Sequence, residues 1–415
     1  MEKTITLGEF ETLGLTNTYE VYDEEKQQWV EFNKSCYVEL TEYGFPEPDV
    51  AKQEIRAITA WCTRDEKYRV WGLGKDYVPN DNTIHFACAT EKQLLESFLT
   101  WWTDKFYTPD VITGWNTRFF DVPYLVNRMI RVLGEDRTKL LSPWKLLDQR
   151  YVTINDRKQM TYEIKGIEHL DYIELFKKFA YSYGNQESYS LNHISHVVLG
   201  EKKLDYSDVG NLNDLFEKDY QRFIDYNVKD VELVNKIDVE LGLLDIVFTI
   251  AYLAGVNYSD ALATTPVWDS IIYRKLMRQN IIVPFSNDNA IKTKFEGGYV
   301  KPPKIGMHNW VMSYDVNSLY PNIIVQTNMS TETLMREMDT SVSVQGMIDG
   351  TCTPAESGVV IAANGAQFST HRVGVIPATI SEMLKARIDL KKKTTELKKQ
   401  RQELENELNR LKNNL

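Results

Sequence analysis

Several kinds of segment are missing from this sequence of 415 residues. It has no run of about 18 apolar residues, so no membrane-spanning helix is expected. Its four cysteines, Cys36, Cys62, Cys88 and Cys352, are scattered without a CxxC pair, so neither a zinc site nor a disulfide framework is expected. No basic segment followed by an apolar one opens the sequence, which argues against a signal peptide. These absences favour a protein of a reducing cytosol.

A surplus of positive charge is also missing, because the formal net charge is −11. On charge alone an ordinary acidic enzyme is the simpler interpretation, since phosphate contacts need Lys and Arg. The charge is uneven, however. Residues 385–412 contain ten Lys or Arg against five Asp or Glu, which leaves −16 for the rest of the chain. Clustered carboxylates can hold divalent metals, so an acidic body with a basic segment also suits phosphate chemistry.

The chain has enough apolar residues for a large core, with 43% hydrophobic and 12% aromatic residues. Up to about residue 245, strand-like runs alternate with helical spacing, which predicts an α/β domain with a mixed sheet. The strands are expected at Thr18–Tyr22, Tyr37–Leu40, Ala57–Trp61, Tyr68–Trp71 and Val111–Thr113. The helices are expected over 91–106, Asp121–Leu133, and in the 170s and 190s.

The rest of the chain has a different pattern. Residues 246–285 are apolar and helical, Trp310–Asp315 indicates a strand, and Ser318–Val325 indicates a helix. Residues 330–375 are rich in Ser, Thr and Gly and suggest a loose insertion. From Ile380 to the end the pattern predicts one helix of about 36 residues.

Three separated segments form the first candidate site: Val38–Thr41, Gly114–Asp121 and Tyr226–Asp230. Carboxylates brought together from distant segments can hold two divalent metals about 3.5–4 Å apart, which activate water and stabilise a leaving oxygen. Tyr226 lies four residues before Asp230 on the same helical face and could orient that water. Each segment taken alone is more simply a surface acid or a helix cap, so the hypothesis depends on all three together.

The second candidate site is the run Asp315–Pro321, a strand end followed by a turn into a helix. The aspartate can bind Mg²⁺, and the backbone amides and the Ser318 hydroxyl can receive triphosphate oxygens. Tyr320 can stack under a sugar and exclude a 2'-hydroxyl. The alternative is a structural turn with a buried tyrosine.

The C-terminal helix carries two further patterns. Arg387 and Lys391 are four residues apart and share a face, although a solvated charged face would look the same. Leucines recur every seven residues, with two more on the alternate seam position, which predicts a coiled-coil surface that needs a partner. They are Leu390, Leu397, Leu404 and Leu411, with Leu408 and Leu415 on the alternate position.

These segments resemble the motifs of family B DNA polymerases, most closely those of T-even-type bacteriophages. The resemblance runs from about residue 30 to 395 and includes the stretches Gly44–Pro48, Leu170–Ile173 and Tyr189–Leu191. It implies a 3'-5' exonuclease site in which Glu39, Asp121 and Asp230 are metal-binding acids and Tyr226 is the tyrosine beside them.

The resemblance also implies a polymerase site with Mg²⁺ or Mn²⁺ as cofactor and with deoxynucleoside triphosphates and primer-template DNA as substrates. Asp315 would bind the metal, and the remaining residues would contact nucleotide or DNA. The nucleotide contacts would be Ser318, Leu319 and Tyr320, with Arg387 and Lys391 on its phosphates, and the DNA contacts Gly297, Gly298 and Tyr299. The glycines alone are as compatible with a plain turn.

One position departs from the family pattern. Where the first exonuclease motif has an aspartate two residues before the glutamate, this sequence has Tyr37. A phenol with a pKa of about 10 does not replace a carboxylate as a ligand for a hard cation. We therefore expect proofreading to be weak or absent, while the domain should still fold.

Three family elements are missing from the sequence: the Tyr-Gly-Asp-Thr-Asp stretch with the second catalytic aspartate, the second fingers motif and the thumb. We therefore expect the chain to be inactive alone and to be one part of a split or truncated polymerase. A second polypeptide would supply the rest of the palm, fingers and thumb, and through it a sliding-clamp contact. The expected location is the cytoplasm of an infected bacterial host.

The expected fold is α/β, with an RNase H-like exonuclease domain, a partial palm and one long fingers helix. The boundaries are 1–33 for a remnant of the N-terminal domain, 34–245 for the exonuclease-like domain, 246–287 for a helical segment, 288–375 for the partial palm and 376–415 for the first fingers helix. Two alternatives stay open: a stand-alone 3'-5' exonuclease, and a catalytically silent DNA-binding or assembly subunit.

Overall fold

The structure is a computed structural model in two compact units, Met1–Thr264 and Thr265–Leu415, which are considered separately. It describes residues 18–23, 28–33, 47–74, 76–154, 157–205, 208–209, 212–283, 301–339, 341–352 and 356–413. The finer domain boundaries expected from the sequence remain predictions.

The strands of the first unit form small sheets of mixed direction. They are β1 (Thr18–Asp23), β2 (Gln28–Asn33), β3 (Ala57–Cys62), β4 (Lys67–Leu73), β5 (Thr83–Cys88), β6 (Val111–Gly114), β7 (Leu147–Ile154), β8 (Arg157–Ile164) and β9 (Glu168–Asp171). β4 pairs antiparallel with β3 and parallel with β5, and β6 pairs parallel with β9. β1–β2 and β7–β8 are antiparallel pairs.

Helices follow or connect these strands. They are α1 (Glu91–Trp102), α2 (Asp121–Leu133), α3 (Glu135–Thr138), α4 (Tyr172–Phe179), α5 (Leu191–Leu199), α6 (Leu212–Lys218), α7 (Tyr220–Leu241) and α8 (Leu243–Ala254). The mixed α/β prediction is confirmed, and the helix expected over 91–106 ends earlier, at Trp102. The strand predicted at Tyr37–Leu40 lies outside the described residues.

Trp71 on β4 is the centre of the first core cluster and has no exposed surface. Its ring stacks on Phe86 with centroids 5.3 Å apart and meets the edge of Phe98 at 5.2 Å. The indole Nε1 donates a hydrogen bond to Ser97 Oγ at 3.1 Å, so its polar atom is satisfied inside the core. These contacts pack α1 against the sheet that contains β4.

A second apolar cluster joins β9 to α4, α5, α7 and α8, and it positions the first candidate site. Its fully buried members are Leu170, Tyr172, Leu175, Ile194, Leu233, Ile237 and Val247. The Tyr172 hydroxyl, at the start of α4, donates to Asp238 Oδ1 on α7 at 3.0 Å. Packing and this hydrogen bond together fix α7 beside the end of β9.

The second unit contains helices and a small antiparallel sheet. The helices are α9 (Thr264–Arg278), α10 (Leu319–Gln326), α11 (Val344–Asp349) and α12 (Val375–Asn413), and the strands are β10 (Leu334–Met338), β11 (Val359–Ile361) and β12 (Ala366–Ser369), in the order β10–β12–β11. The helices expected near 246–285 and 318–325 are present as α8, α9 and α10.

Two sequence predictions for this unit are wrong. Residues 330–375 are not a loose insertion, because β10, β11, β12 and α11 lie there. Short strands of five residues or fewer, separated by turns, give too little periodicity to be recognised. Residues 310–315 do not form a strand, because no neighbouring strand in the described part of the chain supplies the ladder hydrogen bonds that β-prone side chains alone do not provide.

Helix α12 has 39 residues and begins five residues before the predicted start. Pro377 is tolerated in its first turn, where a backbone N–H would have no helical partner. The Asn328 side chain fixes this start: its Oδ1 accepts from the Gly374 amide at 2.9 Å, and its Nδ2 donates to the carbonyls of Ser369 and Arg372. None of the helices described here combines the length and apolar character that a membrane span requires.

Replacing Trp71 with alanine should lower the free energy of unfolding by about 3–5 kcal/mol, because it empties a fully buried aromatic site. Trp144→Ala is the matched control, since Trp144 is 67% exposed and its loss should change stability by less than about 0.5 kcal/mol. Urea unfolding followed by circular dichroism at 222 nm measures both. Equal losses in the two variants would contradict this description of the core.

Candidate functional site

Two acids from distant segments lie close enough in the first unit to influence each other electrostatically. Asp121 begins α2, and Asp230 lies on α7. The Asp121 side chain remains accessible to solvent, yet the surrounding protein removes enough water to raise the pKa of its carboxyl to about 6, and the negative charges of Asp171 and Asp230 contribute to this rise. The structure therefore brings together two of the acids that the sequence singled out.

Lys203 contacts one acid of this pair, Asp230, and was not predicted as a site residue from the sequence. Its Nζ donates to Asp230 Oδ2 at 2.7 Å and to the Tyr226 hydroxyl at 3.3 Å, and it lies 5.3 Å from the centre of the Tyr226 ring. Burial opposes the charged form of Lys203, but the Asp230 carboxylate outweighs it and keeps the Lys203 pKa above its ordinary value. Tyr226 and Asp230 thus share one face of α7, as predicted.

The acids present part of a donor set for a divalent cation. Asp230 Oδ1 is buried and has no hydrogen-bond partner in the described residues, and burial raises the pKa of this carboxyl. Carboxylate oxygens are the ligands that Mg²⁺ and Mn²⁺ prefer. No group of three His, Cys, Asp or Glu side chains within the described ranges has metal-binding geometry. Glu39, the third expected ligand, and Tyr37 lie outside those ranges.

Asp171 holds the loop that leads to Asp121. Its side chain has no exposed surface, its Oδ1 accepts from the Asn116 amide at 2.9 Å, and its Oδ2 accepts from the Arg118 amide at 2.9 Å. Oδ1 also accepts from the Ile173 amide and so caps α4. Burial raises the pKa of Asp171, and these three hydrogen bonds act in the opposite direction.

The same loop is held by its side chains. Arg118 Nη1 donates to both carboxylate oxygens of Glu174, at 3.1 and 2.9 Å, and Thr117 Oγ1 lies 2.9 Å from His169 Nε2. Trp115 Nε1 donates to the Tyr189 carbonyl at 2.9 Å. Asn116 has φ +63°, a left-handed conformation that asparagine adopts more readily than most residues. The loop conformation is therefore fixed on several sides.

The second candidate site lies in the second unit at the start of α10. Ser318 is the N-cap residue, with φ +52°, and its hydroxyl accepts from Arg387 Nη1 of α12 at 3.2 Å. This contact joins two residues, 69 positions apart, that the sequence assigned to one site. Asp315 is exposed in the irregular stretch before the turn, and Tyr320 is 77% exposed rather than buried.

The remaining predicted residues of this site fall into two groups. Leu319 is 44% exposed on the first turn of α10, and Lys391 is exposed one turn beyond Arg387 on α12. The proposed DNA contacts Gly297, Gly298 and Tyr299 lie outside the described residues.

Asp171 and Lys203 were not predicted as site residues, because the sequence around each of them gives only a weak signal. The stretch Leu170–Ile173 belongs to the family resemblance, but nothing in it indicates that Asp171 would bond to a loop more than 50 residues away. Lys203 belongs to a run of polar residues before α6 without a recognisable spacing from Tyr226 or Asp230. Both assignments need the three-dimensional contact.

Comparison with known proteins gives two family matches. The first, DNA polymerase family B, exonuclease domain, covers residues 32–194 in the first unit. The second, DNA polymerase family B, covers residues 265–411 and thus nearly all of the second unit. Together they account for about three quarters of the chain.

Individual proteins that the chain is similar to are DNA polymerases. The chain is 31% identical to the DNA-directed DNA polymerases of Enterobacteria phage T4 and Escherichia phage RB69, over 94% of its own length and 45% of theirs. It is 28% identical to the DNA polymerase delta catalytic subunit of Candida albicans, over 78% of this chain and 32% of that one. The chain therefore spans about half the length of the phage relatives.

The buried His169 should make stability depend on pH. Burial, with a contribution from Arg118, lowers the pKa of His169 from 6.5 to about 4. The unfolded chain takes up this proton below pH 6.5 and the folded chain only near pH 4. The stability contribution is therefore complete above pH 6.5 and is lost as the pH falls toward 4, at up to about 1.4 kcal/mol per pH unit.

Urea unfolding at pH 7, 6 and 5 measures this effect. His169→Gln, which keeps a hydrogen-bonding side chain for Thr117, should lose less stability between pH 7 and 5 than the unmodified chain. His196→Gln replaces an exposed histidine of α5 and should leave the pH dependence unchanged. Parallel pH curves for His169→Gln and the unmodified chain would contradict the assignment.

Proposed function

The chain belongs to DNA polymerase family B, and we propose that it forms the exonuclease-type and first palm portion of a replicative DNA-directed DNA polymerase. The observation that carries the proposal is the 3.2 Å contact between Arg387 Nη1 and Ser318 Oγ. It places a cationic guanidinium of the long helix α12 at the turn where Ser318 lies, three residues after the exposed Asp315.

The turn suits a triphosphate. The first backbone N–H groups of α10 lack helical partners and point toward the turn, where anionic oxygens are favoured. Ser318 would donate its hydroxyl to a phosphate, while Arg387 and Lys391 would neutralise the β- and γ-phosphates. Tyr320 would pack under the sugar and exclude a 2'-hydroxyl, with Leu319 contacting the nucleotide through its backbone.

Asp315 would hold Mg²⁺ or Mn²⁺ at this turn. A divalent cation there supplies charge neutralisation for the triphosphate and activation of a primer hydroxyl. Asp315 is exposed beside Ser318, so its carboxylate is available for such a role. Gly297, Gly298 and Tyr299 would contact the primer-template strand.

A two-metal polymerase site needs a second aspartate, and the 415 residues contain no Tyr-Gly-Asp-Thr-Asp stretch. We propose that a second polypeptide supplies this acid with the rest of the palm, the fingers and the thumb, and that it provides any sliding-clamp contact. These 415 residues alone would then not polymerise. The phage relatives favour the cytoplasm of an infected bacterium as the place of action.

The first unit would have an RNase H-like fold with a 3'-5' exonuclease site. Asp121 and Asp230 would hold Mg²⁺ or Mn²⁺ together with Glu39, and the bound ions would activate water and stabilise the leaving oxygen. Asp230 Oδ1, buried without a partner in the described residues, fits such a ligand role. Tyr226 would orient the attacking water. Lys203 keeps one oxygen of Asp230 in place.

Tyr37 would impair this site. The first strand would contribute only one carboxylate, Glu39, and a tyrosine side chain would take the place of a metal ligand. The acids on α2 and α7 would bind cations more weakly, and proofreading would be slow or absent. Two alternatives remain: a stand-alone exonuclease, favoured by the Asp121–Asp230 pair, and a silent assembly subunit, favoured by the exposed leucines of α12.

Restoring the carboxylate tests the exonuclease proposal. Tyr37→Asp should raise Mg²⁺- or Mn²⁺-dependent degradation of single-stranded DNA by at least about a hundredfold, since a completed metal site lowers the barrier by several kcal/mol. Tyr37→Asn is the matched control, because asparagine has the size of aspartate but not its charge. This variant should stay inactive.

Adding Asp230→Asn to Tyr37→Asp should abolish the gain. A folded Tyr37→Asp variant without nuclease activity would contradict the metal-site proposal. If the unmodified chain were as active as Tyr37→Asp, the proposal of impaired proofreading would be wrong, while the metal-site proposal would stand.

The palm proposal can be tested in a chimera that supplies the missing acid in the same polypeptide. Residues 301–413 replace the aligned segment of the phage T4 relative, and primer extension is measured. Asp315→Asn should lower kcat by at least about a thousandfold, because one metal ligand is lost. Arg387→Ala should raise the KM for the nucleotide, because a phosphate contact is lost.

Lys385→Ala removes an exposed cation two residues before Arg387 and serves as the matched control, with little change in KM. An active chimera that tolerates Asp315→Asn would overturn the assignment of this turn to catalysis.

A further inference from the structure

From Lys385 to Lys412, helix α12 presents nearly all of its side chains to solvent within the described structure; Glu405 alone is half-buried. Among them the leucines of the seven-residue repeat keep 51–66% of their surface exposed: Leu390, Leu397, Leu404, Leu408 and Leu411. We call these five residues the leucine seam. An apolar stripe on a long isolated helix is stabilised mainly by packing against another helix.

The register of the seam assigns the side chains that flank it. With Leu390, Leu397, Leu404 and Leu411 at position d, position a holds Arg387, Thr394, Arg401 and Leu408. The flanking positions e and g are basic near the start of the seam and acidic further along it, until Lys412. Position e holds Lys391, Lys398, Glu405 and Lys412, and position g holds Lys393, Gln400 and Glu407.

We propose that two copies of this chain pair through the leucine seam as an antiparallel coiled coil with two-fold symmetry. In this register Leu390 of one copy meets Leu408 of the other, and Leu404 meets Thr394. Leu411 meets Arg387 of the other copy. Leu397 meets the aliphatic part of Arg401, whose guanidinium already bonds to Glu405 of its own helix at 2.7 Å and can remain at the surface.

Charge complementarity selects this partner. In an antiparallel pair the e positions face each other and so do the g positions, so Lys391 lies opposite Glu405 of the second copy and Lys393 lies opposite Glu407. The two-fold axis repeats each contact, which gives four ion pairs of opposite charge. The like-charged contact between the two Lys398 side chains occurs once, at the axis.

A parallel pair of the same helices fits less well. It places Arg401 against Arg401 at one core layer, and it sets Lys393 at position g beside Lys398 at position e of the second copy. Both contacts bring like charges together, and Glu407 at g with Lys412 at e is the one pair of opposite charge in that arrangement. The sequence of the seam therefore favours the antiparallel arrangement.

The test of this proposal is separate from that of the proposed function, because it measures the mass of the chain and no activity, although Lys391 takes part in both proposals. Light scattering coupled to size-exclusion chromatography should give a mass near twice the 48.2 kDa of one chain at concentrations above the dissociation constant. A mass of one chain throughout the micromolar range would overturn the proposal.

Charge reversal tests the orientation. Lys391→Glu combined with Lys393→Glu, and separately Glu405→Lys combined with Glu407→Lys, should each weaken self-association by at least about tenfold, because four attractive contacts become repulsive. Mixing the two double variants should restore a dimer, since the four pairs between positions 391 and 405 and between 393 and 407 are again of opposite charge. Failure of mixing to restore it would overturn the antiparallel register.

A parallel dimer would respond in the opposite direction to the first double variant, because Lys393→Glu would then face Lys398. Stronger association of that variant would therefore also overturn the proposal.

The apolar contacts have their own matched pair of variants. Leu397→Asp places a charge at the centre of the seam and should weaken dimerisation by more than about tenfold. Ile388→Asp changes an equally exposed side chain, at 53%, that lies off the seam at position b, and should leave the dimer intact. Circular dichroism confirms that both variants remain folded. Equal effects of the two substitutions would show that the seam is not the interface.

Discussion

The Asp171 carboxylate, buried at the end of β9, accepts backbone hydrogen bonds from Asn116, Arg118 and Ile173. A carboxylate removed from water is unfavourable unless its oxygens are satisfied, and here three N–H groups satisfy them. These bonds force the chain after β6 into the loop whose last residue precedes Asp121. Because β6 and β9 are parallel, with Gly114 opposite Asp171, both strands end at the level of the site. The position of Asp121 thus depends on an acid that would itself contact no substrate.

The charge around Asp121 and Asp230 is only partly balanced. Lys203 supplies one positive charge against their two carboxylates, and it bonds to only one oxygen of Asp230. Removal of water by the surrounding protein and the neighbouring acids raise the pKa of the solvent-accessible Asp121 to about 6, so the folded chain holds a carboxyl whose ionisation is unfavourable in this environment. Perturbed carboxyls of this kind are typical of functional sites. A divalent cation would lower the electrostatic free energy of the site more than Lys203 alone does.

Elements that depend on local periodicity could be predicted from the sequence. Elements and side-chain roles that depend on contacts between distant residues could not. The repeat in residues 91–102 and the leucines of α12 contain enough turns to identify helices, and Tyr226 and Asp230 were placed on one helical face. The short strands β10–β12 contain too few residues for a period, and the run Trp310–Asp315 has strand-forming side chains without a pairing strand in the described structure. Lys203 and Asp171 were missed because their roles arise from contacts across 23 to 55 residues, which no local pattern encodes.

Because the leucine seam of α12 is exposed, the partner that packs against it would depend on the concentrations of the possible partners. One helical face can pack against one partner helix at a time, so a second copy of the chain and a helix from a complementing polypeptide would exclude each other. Their competition follows mass action: the second copy is favoured when this chain is in excess, and the complement when it binds the seam more tightly. A complement that matches Lys391 and Lys393 with acids, and Glu405 and Glu407 with bases, would gain the same ion pairs without the Lys398–Lys398 contact. Such a complement would displace the second copy even with an equally apolar face, because it removes the like-charged contact at the axis.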